Sequence, residues 1–196
     1  MSMTDRVREV ALDLFAEQSY NATSMRDIAR AAGFTPGAFY HHYSSKESIL
    51  LDIMVTTMRR LTTSAIQAVD AAGDDPELRL RALVRAHVVD HGRYRNSAIV
   101  GDTELRAISA GSRATVGVIR DEYEELWRSA IEDFARSTGT NIDLALIRFA
   151  IIQMCSGVAQ WYRSDGPISL DDIAEQFCEI AINIIVPSTK TGTCHA

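Results

Sequence analysis

Apolar residues recur at three- and four-residue spacing along almost the whole chain, which is the period of an amphipathic α-helix. In the first helix one face is apolar and the other is charged, and the apolar face consists of Val7, Val10, Ala11, Leu14 and Phe15. No stretch of the sequence combines two-residue alternation with hairpin turns, the pattern that indicates antiparallel strands. The sequence therefore predicts an all-α protein with about nine helices separated by short polar breaks. The helices expected beyond residue 75 span roughly 76–92, 97–109, 112–138, 142–164 and 169–186.

Capping and turn residues near the N-terminus predict several helix boundaries after the first helix. Residues 24–27, SMRD, form a capping-box pattern in which the aspartate can bond back to the serine amide. Gly33 ends the short helix that follows, and Pro36 suits the first turn of the next one. Residues 44–47, SSKE, predict a second capping box, between the first serine and the glutamate, before a longer helix. A helix followed by two short helices across a glycine-containing turn is typical of a helix-turn-helix unit.

Charge is divided unevenly along the chain, although the net charge of −6 does not itself suggest a nucleic-acid partner. Residues 1–60 hold seven basic and seven acidic side chains, so all of the excess negative charge lies beyond residue 60. A neutral N-terminal module on an acidic body permits DNA binding, because the local distribution of basic residues governs contact with phosphates.

Composition is that of an ordinary globular protein, with 46% apolar and 23% charged residues. The N-terminus contains acidic residues and no apolar segment of the kind found in a signal peptide. No apolar run approaches the roughly 18–20 residues that span a bilayer. Cys155, Cys178 and Cys194 match no metal or redox spacing. These features predict a cytoplasmic protein with no membrane partner and no cofactor.

Residues 35–47, TPGAFYHHYSSKE, concentrate side chains that could suggest a metal site or a catalytic nucleophile. His41 and His42 are consecutive, so on a helix they diverge by about 100° and cannot chelate one ion. Ser44 is used by the predicted capping box, and no nucleophile elbow or oxyanion loop is visible in the sequence. We therefore expect no metal and no catalytic residue here, and we expect that the protein is not an enzyme.

Residues 22–50, ATSMRDIARAAGFTPGAFYHHYSSKESIL, resemble the TetR family of transcriptional regulators. The likeness is dense over residues 4–54, and the rest of the chain resembles the family in helix pattern and length. The resemblance implies a helix-turn-helix DNA-binding domain at residues 1–50 and a helical ligand-binding and dimerisation domain at residues 51–187. Residues 188–196 have little to bury and are expected to form a disordered tail.

The resemblance also implies roles in DNA binding for individual positions. Ser24 and Arg26 match positions that contact a phosphate or a base, and Lys46 matches a phosphate-binding lysine at a helix N-terminus. The positions matched to the recognition helix and its backbone-contacting end are Thr35, Pro36, Gly37, Ala38, Tyr40, His41 and His42. This helix contains no Arg, Lys, Asn or Gln, which are the strongest bidentate readers of bases. Thr35, contacts with thymine methyl groups or DNA shape must then provide the specificity.

Polar and aromatic residues recur within the apolar helices of the body, and an apolar body with a few convergent polar groups is what a ligand cavity needs. In the family that the chain resembles, the fifth to eighth helices wall such a cavity. The residues expected to line it are His87, His91, Tyr123, Trp127 and Gln153. Each could instead be a core or interface residue. His87 and His91 also have the spacing of a metal-binding pair, but no third ligand is identifiable in the sequence.

The last two helices carry apolar residues at helical spacing and are expected to pair with their copies in a homodimer. The residues expected at this interface are Ile147, Ile151, Met154, Ile173, Phe177, Ile180 and Ile184. Residues 160–185 also resemble family members tied to fatty-acid, acyl-CoA or sterol catabolism. No cluster of basic residues that would bind a coenzyme A phosphate is visible, although Arg148 or Arg163 could contribute.

Together these patterns predict a homodimeric, ligand-responsive regulator that represses transcription by binding a palindromic double-stranded DNA operator. The expected effector is a small apolar or lipid-like molecule, such as an acyl-CoA or a fatty acid. The alternative is a TetR-like regulator with no small-molecule effector, whose body serves only for dimerisation. A filled body without a cavity would favour this alternative.

Overall fold

The computed structural model describes residues 2–141 and 143–186. Every regular element in this part of the chain is helical, which confirms the all-α prediction. The helices are α1 (Met3–Gln18), α2 (Met25–Ala32), α3 (Pro36–His42), α4 (Lys46–Ala71), α5 (Pro76–Arg93), α6 (Arg95–Thr103), α7 (Ala110–Thr138), α8 (Leu144–Ser156), α9 (Val158–Trp161) and α10 (Leu170–Ile185), with a 3-10 turn at Leu105–Ala107. The tail expected at residues 188–196 lies outside the described residues.

The first three helices form a small head around the buried face of α1. Val7, Ala11 and Phe15 are almost completely buried on this face. α2 begins at the predicted capping box, in which Ser24 Oγ accepts from the Asp27 amide and the Asp27 carboxylate accepts from the Ser24 amide. The predicted glycine ends α2 in the left-handed conformation, and the predicted proline opens α3. These local signals produce the helix-turn-helix arrangement that the sequence predicts.

The predicted start of the fourth helix is wrong by one residue. Ser45, not Ser44, is the N-cap of α4. The Ser45 hydroxyl accepts from the Ser48 amide, and the Ser48 hydroxyl accepts from the Ser45 amide. Glu47 is therefore not a capping residue. Its carboxylate instead accepts two hydrogen bonds from the start of α7, a contact that no local pattern indicates.

α4 is a 26-residue helix that belongs to two apolar cores. Ile49 and Ile53 pack in the core of the head, together with residues of α6 and the N-terminal half of α7. Leu61 and Ala65 pack in the core of the body, which α5, α7, α8 and α10 complete. The boundary expected at residue 50 therefore lies within one continuous helix, and the head and the body share a rigid element.

In the body, α5 packs against α10, α4 and α7. The fully buried Leu80 and Leu83 of α5 belong to the same core as Trp127 of α7. At the edge of the contact between α5 and α10, Arg81 and Arg85 form ion pairs with acidic residues of α10. Exposed ion pairs contribute little individually, so the buried apolar contact sets this packing.

Two predicted body helices are interrupted. The helix expected at residues 142–164 is divided into α8 and α9 at Gly157, because glycine is a poor helix former. The helix expected at residues 97–109 consists of α6 followed by the 3-10 turn. Ile108 then adopts an extended backbone, which places Ser109 to cap α7.

One stretch of the described residues, Leu144–Trp161, is apolar enough by length and composition to cross a membrane, with a mean hydropathy of 1.4. From the sequence we expected no apolar run long enough to span a bilayer. The mean hydropathy of this stretch shows that this expectation is wrong, although Arg148 and Gln153 interrupt the run. Only 22% of the stretch is buried, and it is divided between α8 and α9. An exposed apolar face on two adjacent helices is also what a pairing surface between subunits requires.

Gly92, near the end of α5, marks the closest packing of α5 on α10. A Cβ atom there would lie 2.4 Å from Leu170 Cδ1, so Gly92→Ala should strain this contact. We expect the free energy of unfolding to fall by about 1–3 kcal/mol in urea denaturation. Gly117→Ala in α7 is the matched control, because nothing lies within 4 Å of the added methyl group. It should be neutral or stabilising, and equal stabilities of the two variants would contradict the packing described.

Candidate functional site

The head exposes one side of α3 and buries the other. Phe39 and Tyr43 are in the core of the head, as their i, i+4 spacing predicts. The exposed positions at the start, the outer face and the end of α3 are Thr35, Gly37, Tyr40, His41 and His42. Pro36 and Ala38 also belong to α3. The positions matched to the recognition helix thus lie together on the helix that enters the major groove in this kind of unit.

The start of α2 offers one free cation beside α3. Arg26 is exposed and forms no hydrogen bond or ion pair with any described residue. Arg30, one turn later, forms an ion pair with Asp27. The Ser24 hydroxyl also donates to Asp27, so it is engaged in the cap of α2. Arg26 therefore has the uncommitted guanidinium that a phosphate contact requires.

Lys46 is less free than the resemblance implies. Its Nζ donates to Tyr20 O and Thr23 O, both at 2.7 Å, and lies 4.2 Å from the centroid of the Tyr20 ring. These contacts tie the loop between α1 and α2 to the first turn of α4, and they use two of the three N–H donors. A phosphate contact by Lys46 stays a prediction for the third donor.

Asp52, which the sequence patterns do not single out, fixes α3 against α1 and α4. Its Oδ2 accepts from the Tyr43 hydroxyl and, at 3.1 Å, from Arg8 Nε. Burial, together with the hydrogen bond to Asp52, raises the pKa of Tyr43, so the phenol stays protonated and donates. Arg8 lies 44 residues before Asp52 in the chain, which is why no local motif reveals this cluster.

A cavity of about 520 Å³ lies in the body against α4. Four of the five residues expected to line a ligand site border it, namely His87, His91, Tyr123 and Gln153. Trp127 does not border the cavity, because its ring is fully buried and packs edge-on against His87, with centroids 5.6 Å apart. The residues that α4 contributes to the wall are Met54, Thr57, Met58 and Leu61.

The most buried part of the cavity wall is a cluster of stacked and hydrogen-bonded rings. The two ring nitrogens of His87 lie 2.7 Å from the Tyr123 hydroxyl and 3.0 Å from Ser156 Oγ. The His91 ring stacks on that of His87, with centroids 4.0 Å apart and planes 10° apart. Burial lowers the pKa of His87 well below its ordinary value, and the adjacent His91 lowers it further. Burial lowers the pKa of His91 as well, so both rings are neutral near pH 7.

Charged residues lie in another part of the cavity wall. Arg120 and Arg148 border the cavity, and Arg148 Nη2 lies 3.7 Å from Glu124. Arg120 has no hydrogen bond or ion pair with the described residues, although Asp102 interacts with it electrostatically. Arg163, the other candidate for contact with an anionic ligand, does not border this cavity and pairs with a neighbouring aspartate.

An ion pair connects α4 to the wall of the cavity. Arg60 Nε and Nη2 donate to the two carboxylate oxygens of Asp90 at 2.9 and 3.1 Å. The guanidinium also lies over the Tyr94 ring, 3.8 Å from its centroid. Asp90 is only 6% exposed and adjoins His91 in the chain. Because a bidentate pair is geometrically specific, it fixes α4 beside α5 next to His91.

Polar contacts also join the head to α6 and α7. Glu47 accepts from Ser109 N at 2.8 Å and from Ser112 Oγ at 2.7 Å. The Ser109 amide, with the serine hydroxyls, lowers the pKa of Glu47, so the carboxylate stays ionised. The Tyr20 amide donates to Glu104 at the end of α6. These partners are distant in sequence, and periodicity and capping patterns give no sign of them.

The residues expected at a dimer interface are divided between surface and core. Ile151 and Ile173 are only 0% and 5% exposed, so they have no surface to offer a second subunit, which corrects the expectation for these two residues. Ile180 is 43% exposed. The partly buried members of the expected set are Ile147, Met154, Phe177 and Ile184. Three large apolar residues on α8 and α9 are more than half exposed and lie outside the expected interface set, namely Leu146, Phe149 and Trp161.

The metal alternative gains no further ligand from the structure. Among the described residues, no group of three or more His, Cys, Asp or Glu side chains could hold a metal ion. Cys155 and Cys178 are buried free thiols. Burial raises the pKa of Cys155, and it raises the pKa of Cys178 to about 11, so neither is a thiolate near neutral pH.

A small head with an exposed short helix, joined by a shared helix to a body with a cavity, defines a helix-turn-helix regulator of transcription. Residues 7–53 match the family model described as bacterial regulatory proteins, tetR family. Residues 73–185 match the model described as tetracyclin repressor-like, C-terminal domain. The chain belongs to the TetR family.

Individual relatives agree with this assignment. The chain is 31% identical over 179 residues to the HTH-type transcriptional repressor KstR2 of Rhodococcus jostii, covering 89% of this chain and 87% of the relative. A tetR-family regulatory protein from Rhodococcus RHA1 has a solved structure with a TM-score of 0.85 at 30% identity, covering 94% of this chain and 97% of that one. AibR, solved with isovaleryl coenzyme A and operator DNA, has a TM-score of 0.79 at 24% identity, covering 93% and 97%, and shows the shared fold.

Arg26→Ala tests the assignment of the DNA-binding surface. Loss of one phosphate contact should weaken binding to all DNA sequences alike and reduce the slope of log affinity against log salt by about 0.9. The measurement is a salt titration of DNA binding by fluorescence anisotropy. Arg59→Ala is the control with the same charge change, because Arg59 is exposed on α4, roughly 20 Å along the helix from its start at Lys46. A slope that falls equally in both variants would contradict the assignment.

Proposed function

We propose that the protein is a homodimeric, ligand-responsive repressor of transcription in the cytoplasm, released from a palindromic operator by a small apolar or lipid-like effector. The observation that carries this proposal is the cavity of about 520 Å³, because α4, which begins in the head, forms part of its wall. The volume lies within the range of small-molecule sites, roughly 300–1,000 Å³. A body used only for dimerisation has no need of such a cavity.

The DNA-binding half of the proposal rests on the exposed side of α3. In a dimer, two copies of α3 would enter successive major grooves about 34–36 Å apart. Arg26 would contact a phosphate, as would the third N–H of Lys46. Tyr40 and the two histidines after it would contact the backbone at the end of α3. Thr35 would face a base edge, and specificity would depend on it, on thymine methyl contacts and on DNA shape.

The dimer would form through the outer faces of α8, α9 and α10. Leu146 and Phe149 on α8 are each 63% exposed, Trp161 on α9 is 53% exposed, and Ile180 on α10 is 43% exposed. Large apolar side chains exposed on neighbouring helices indicate a surface that another protein covers. An isologous contact between two copies would cover this surface and direct both heads to one palindromic site.

The cavity suits an effector with an apolar body and at least one polar group. Methionine, leucine and phenylalanine side chains form much of the wall, and polar groups converge at the histidine pair. Arg120 and Arg148 could neutralise a carboxylate or a phosphate. The structure of AibR contains isovaleryl coenzyme A, and the shared fold supports a fatty acid or an acyl-CoA as the effector class here.

An effector in the cavity would act on the head through α4. Thr57 and Met58 of α4 border the cavity, and Arg60 in the same turn is held by Asp90. A displacement at this point would be carried along α4, because Ile49 is buried in the core of the head. The separation of the two heads would then no longer match the DNA repeat. A preference of about 1–3 kcal/mol for the state that cannot bind DNA is enough for induction.

A panel of fatty acids, acyl-CoAs and aromatic compounds tests the effector class. We expect at least one apolar acid or thioester to raise the thermal unfolding midpoint, since it binds only the folded state. The same compound should release the protein from the promoter DNA of its own gene in a gel-shift assay. DNA binding with no response to any compound would favour the regulator without an effector. Failure to bind DNA as a dimer at modest salt would contradict the whole proposal.

Leu146→Asp tests the dimer surface. Burying one carboxylate in an apolar contact between two copies costs several kcal/mol per ion, so we expect a monomer in sedimentation velocity and a large loss of operator affinity. Ile66→Asp is the control, because Ile66 is also exposed, at 42%, but lies on α4, outside the three helices that would form this surface. A dimer that persists in Leu146→Asp with unchanged operator affinity would exclude this face of α8.

A further inference from the structure

The imidazole of His91 presents a hydrogen-bonding atom to the cavity that the fold does not use. His91 is 7% exposed and borders the cavity. Its Nδ1 lies 3.1 Å from the carbonyl oxygen of His87, one turn earlier in α5. A carbonyl oxygen only accepts hydrogen bonds, so Nδ1 carries the proton. The proton position of His91 is thus determined by the backbone of its own helix.

The second nitrogen, Nε2, is therefore a lone-pair acceptor as long as the ring is neutral. Burial lowers the pKa of His91, and the Arg60 cation also lowers it, whereas Asp90 and Asp102 and the bond to the His87 carbonyl act in the opposite direction. The Asp90 carboxylate is already bound by Arg60 through both oxygens. The balance of these groups keeps the ring neutral near pH 7.

Nε2 has no hydrogen-bond partner among the described residues. Thr62 Oγ1 also lacks a partner within the described part of the chain, but it is sealed from solvent. His91 differs because it borders an open cavity, from which a ligand atom can approach it. Once a ligand has displaced water from the cavity, an acceptor left unpaired costs roughly 1–3 kcal/mol, so a ligand that satisfies it is favoured over one that does not.

The ring is also held in place before any ligand arrives. Stacking on His87 at 4.0 Å limits the tilt of the His91 ring. His87 itself is fixed between the Tyr123 hydroxyl and Ser156 Oγ. Rotating the His91 ring to expose Nδ1 would break its bond to the backbone and leave a buried donor unpaired. The direction of the lone pair is consequently part of the folded structure.

We propose that His91 Nε2 accepts a hydrogen bond from a hydroxyl group of the effector, so that the effector class is an apolar molecule carrying a hydroxyl rather than a ketone at this point. This inference rests on the proposed function, because it names the chemistry of the ligand for the same cavity. A ketone oxygen only accepts, and it would place its lone pairs against that of Nε2. Sites built to bond a ligand hydroxyl discriminate strongly against analogues that lack it.

The proton position is tested without any ligand. Protein labelled with ¹⁵N-histidine gives long-range ¹H–¹⁵N correlations that distinguish the two neutral forms of each ring. The signals of His91, among five histidines, are assigned by their loss in His91→Phe. We expect the neutral form with the proton on Nδ1 near pH 7. A proton on Nε2, or a doubly protonated ring, overturns the proposal whatever the protein binds.

The ligand preference is tested with matched sets of three acids on two skeletons. One set is stearic acid with its hydroxy and oxo derivatives, and the other is cholanic acid with lithocholic acid and the corresponding ketone. On the skeleton that binds, we expect the hydroxy acid to bind about tenfold or more tightly than the other two, by calorimetry. In His91→Phe this preference should disappear, and in His91→Gln, which keeps an acceptor oxygen, part of it should return.

The outcomes separate this proposal from the function on which it rests. Equal binding of the three acids to the wild type, or a hydroxyl preference that survives in His91→Phe, overturns the role of His91 and leaves a lipid-responsive repressor intact. Binding of none of the acids, together with no response in the wider effector panel, counts against the proposed function itself. Thermal unfolding of each variant identifies any loss of binding that comes from misfolding.

Discussion

Burial of α4 at both ends is the constraint on which the rest of the structure depends. The helix has 26 residues, so it is roughly 39 Å long, with Ile49 in the core of the head and Ala65 in the core of the body. Neither domain can shift along α4 without disturbing the other core. The Arg60–Asp90 pair and the hydrogen bonds of Glu47 to α7 then hold α4 laterally at two levels. The cavity borders α4 from Met54 to Leu61, which includes the level of the Arg60–Asp90 pair.

The polar groups of the cavity wall differ in charge, which limits what the cavity can bind. The wall contains the two stacked neutral imidazoles, of which His87 is bonded to Tyr123 and Ser156, together with two arginines and three acidic residues. A neutral histidine in an apolar wall forms hydrogen bonds in fixed directions and carries no charge, whereas an arginine attracts anions of any shape. The two features together favour an amphipathic ligand that is oriented as well as bound. They also place the polar chemistry beside Asp90, the residue that holds α4.

Signals within one turn of helix allowed the head to be predicted from the sequence. The capping box at Ser24, the left-handed Gly33 and the proline that opens α3 each act between neighbouring residues. The start of α4 was misplaced because Ser44 and Ser45 offer overlapping capping patterns. Four of the five expected cavity residues border the cavity, since helical spacing identifies a face. Spacing does not say which apolar face meets a core, so Ile151 was assigned to the surface although it is fully buried. Contacts between distant residues, such as that of Asp52 with Arg8, leave no periodic trace.

We propose that a molecule in the cavity displaces α4 and so reduces operator affinity. A large side chain introduced into the cavity tests this without a ligand. Gly101 of α6 borders the cavity and has nothing within 4 Å of an added Cβ, so Gly101→Phe would place a ring inside it. Gly117→Phe, on α7 at a position that does not itself border the cavity, is the control. The direct measurement is operator affinity by anisotropy, with folding and dimerisation checked by unfolding and sedimentation. We expect Gly101→Phe to lose at least fivefold in operator affinity and Gly117→Phe to keep its affinity. Fivefold is the lower end of the range typical for two coupled binding sites. A folded, dimeric Gly101→Phe that binds the operator as tightly as the wild type would contradict this proposal.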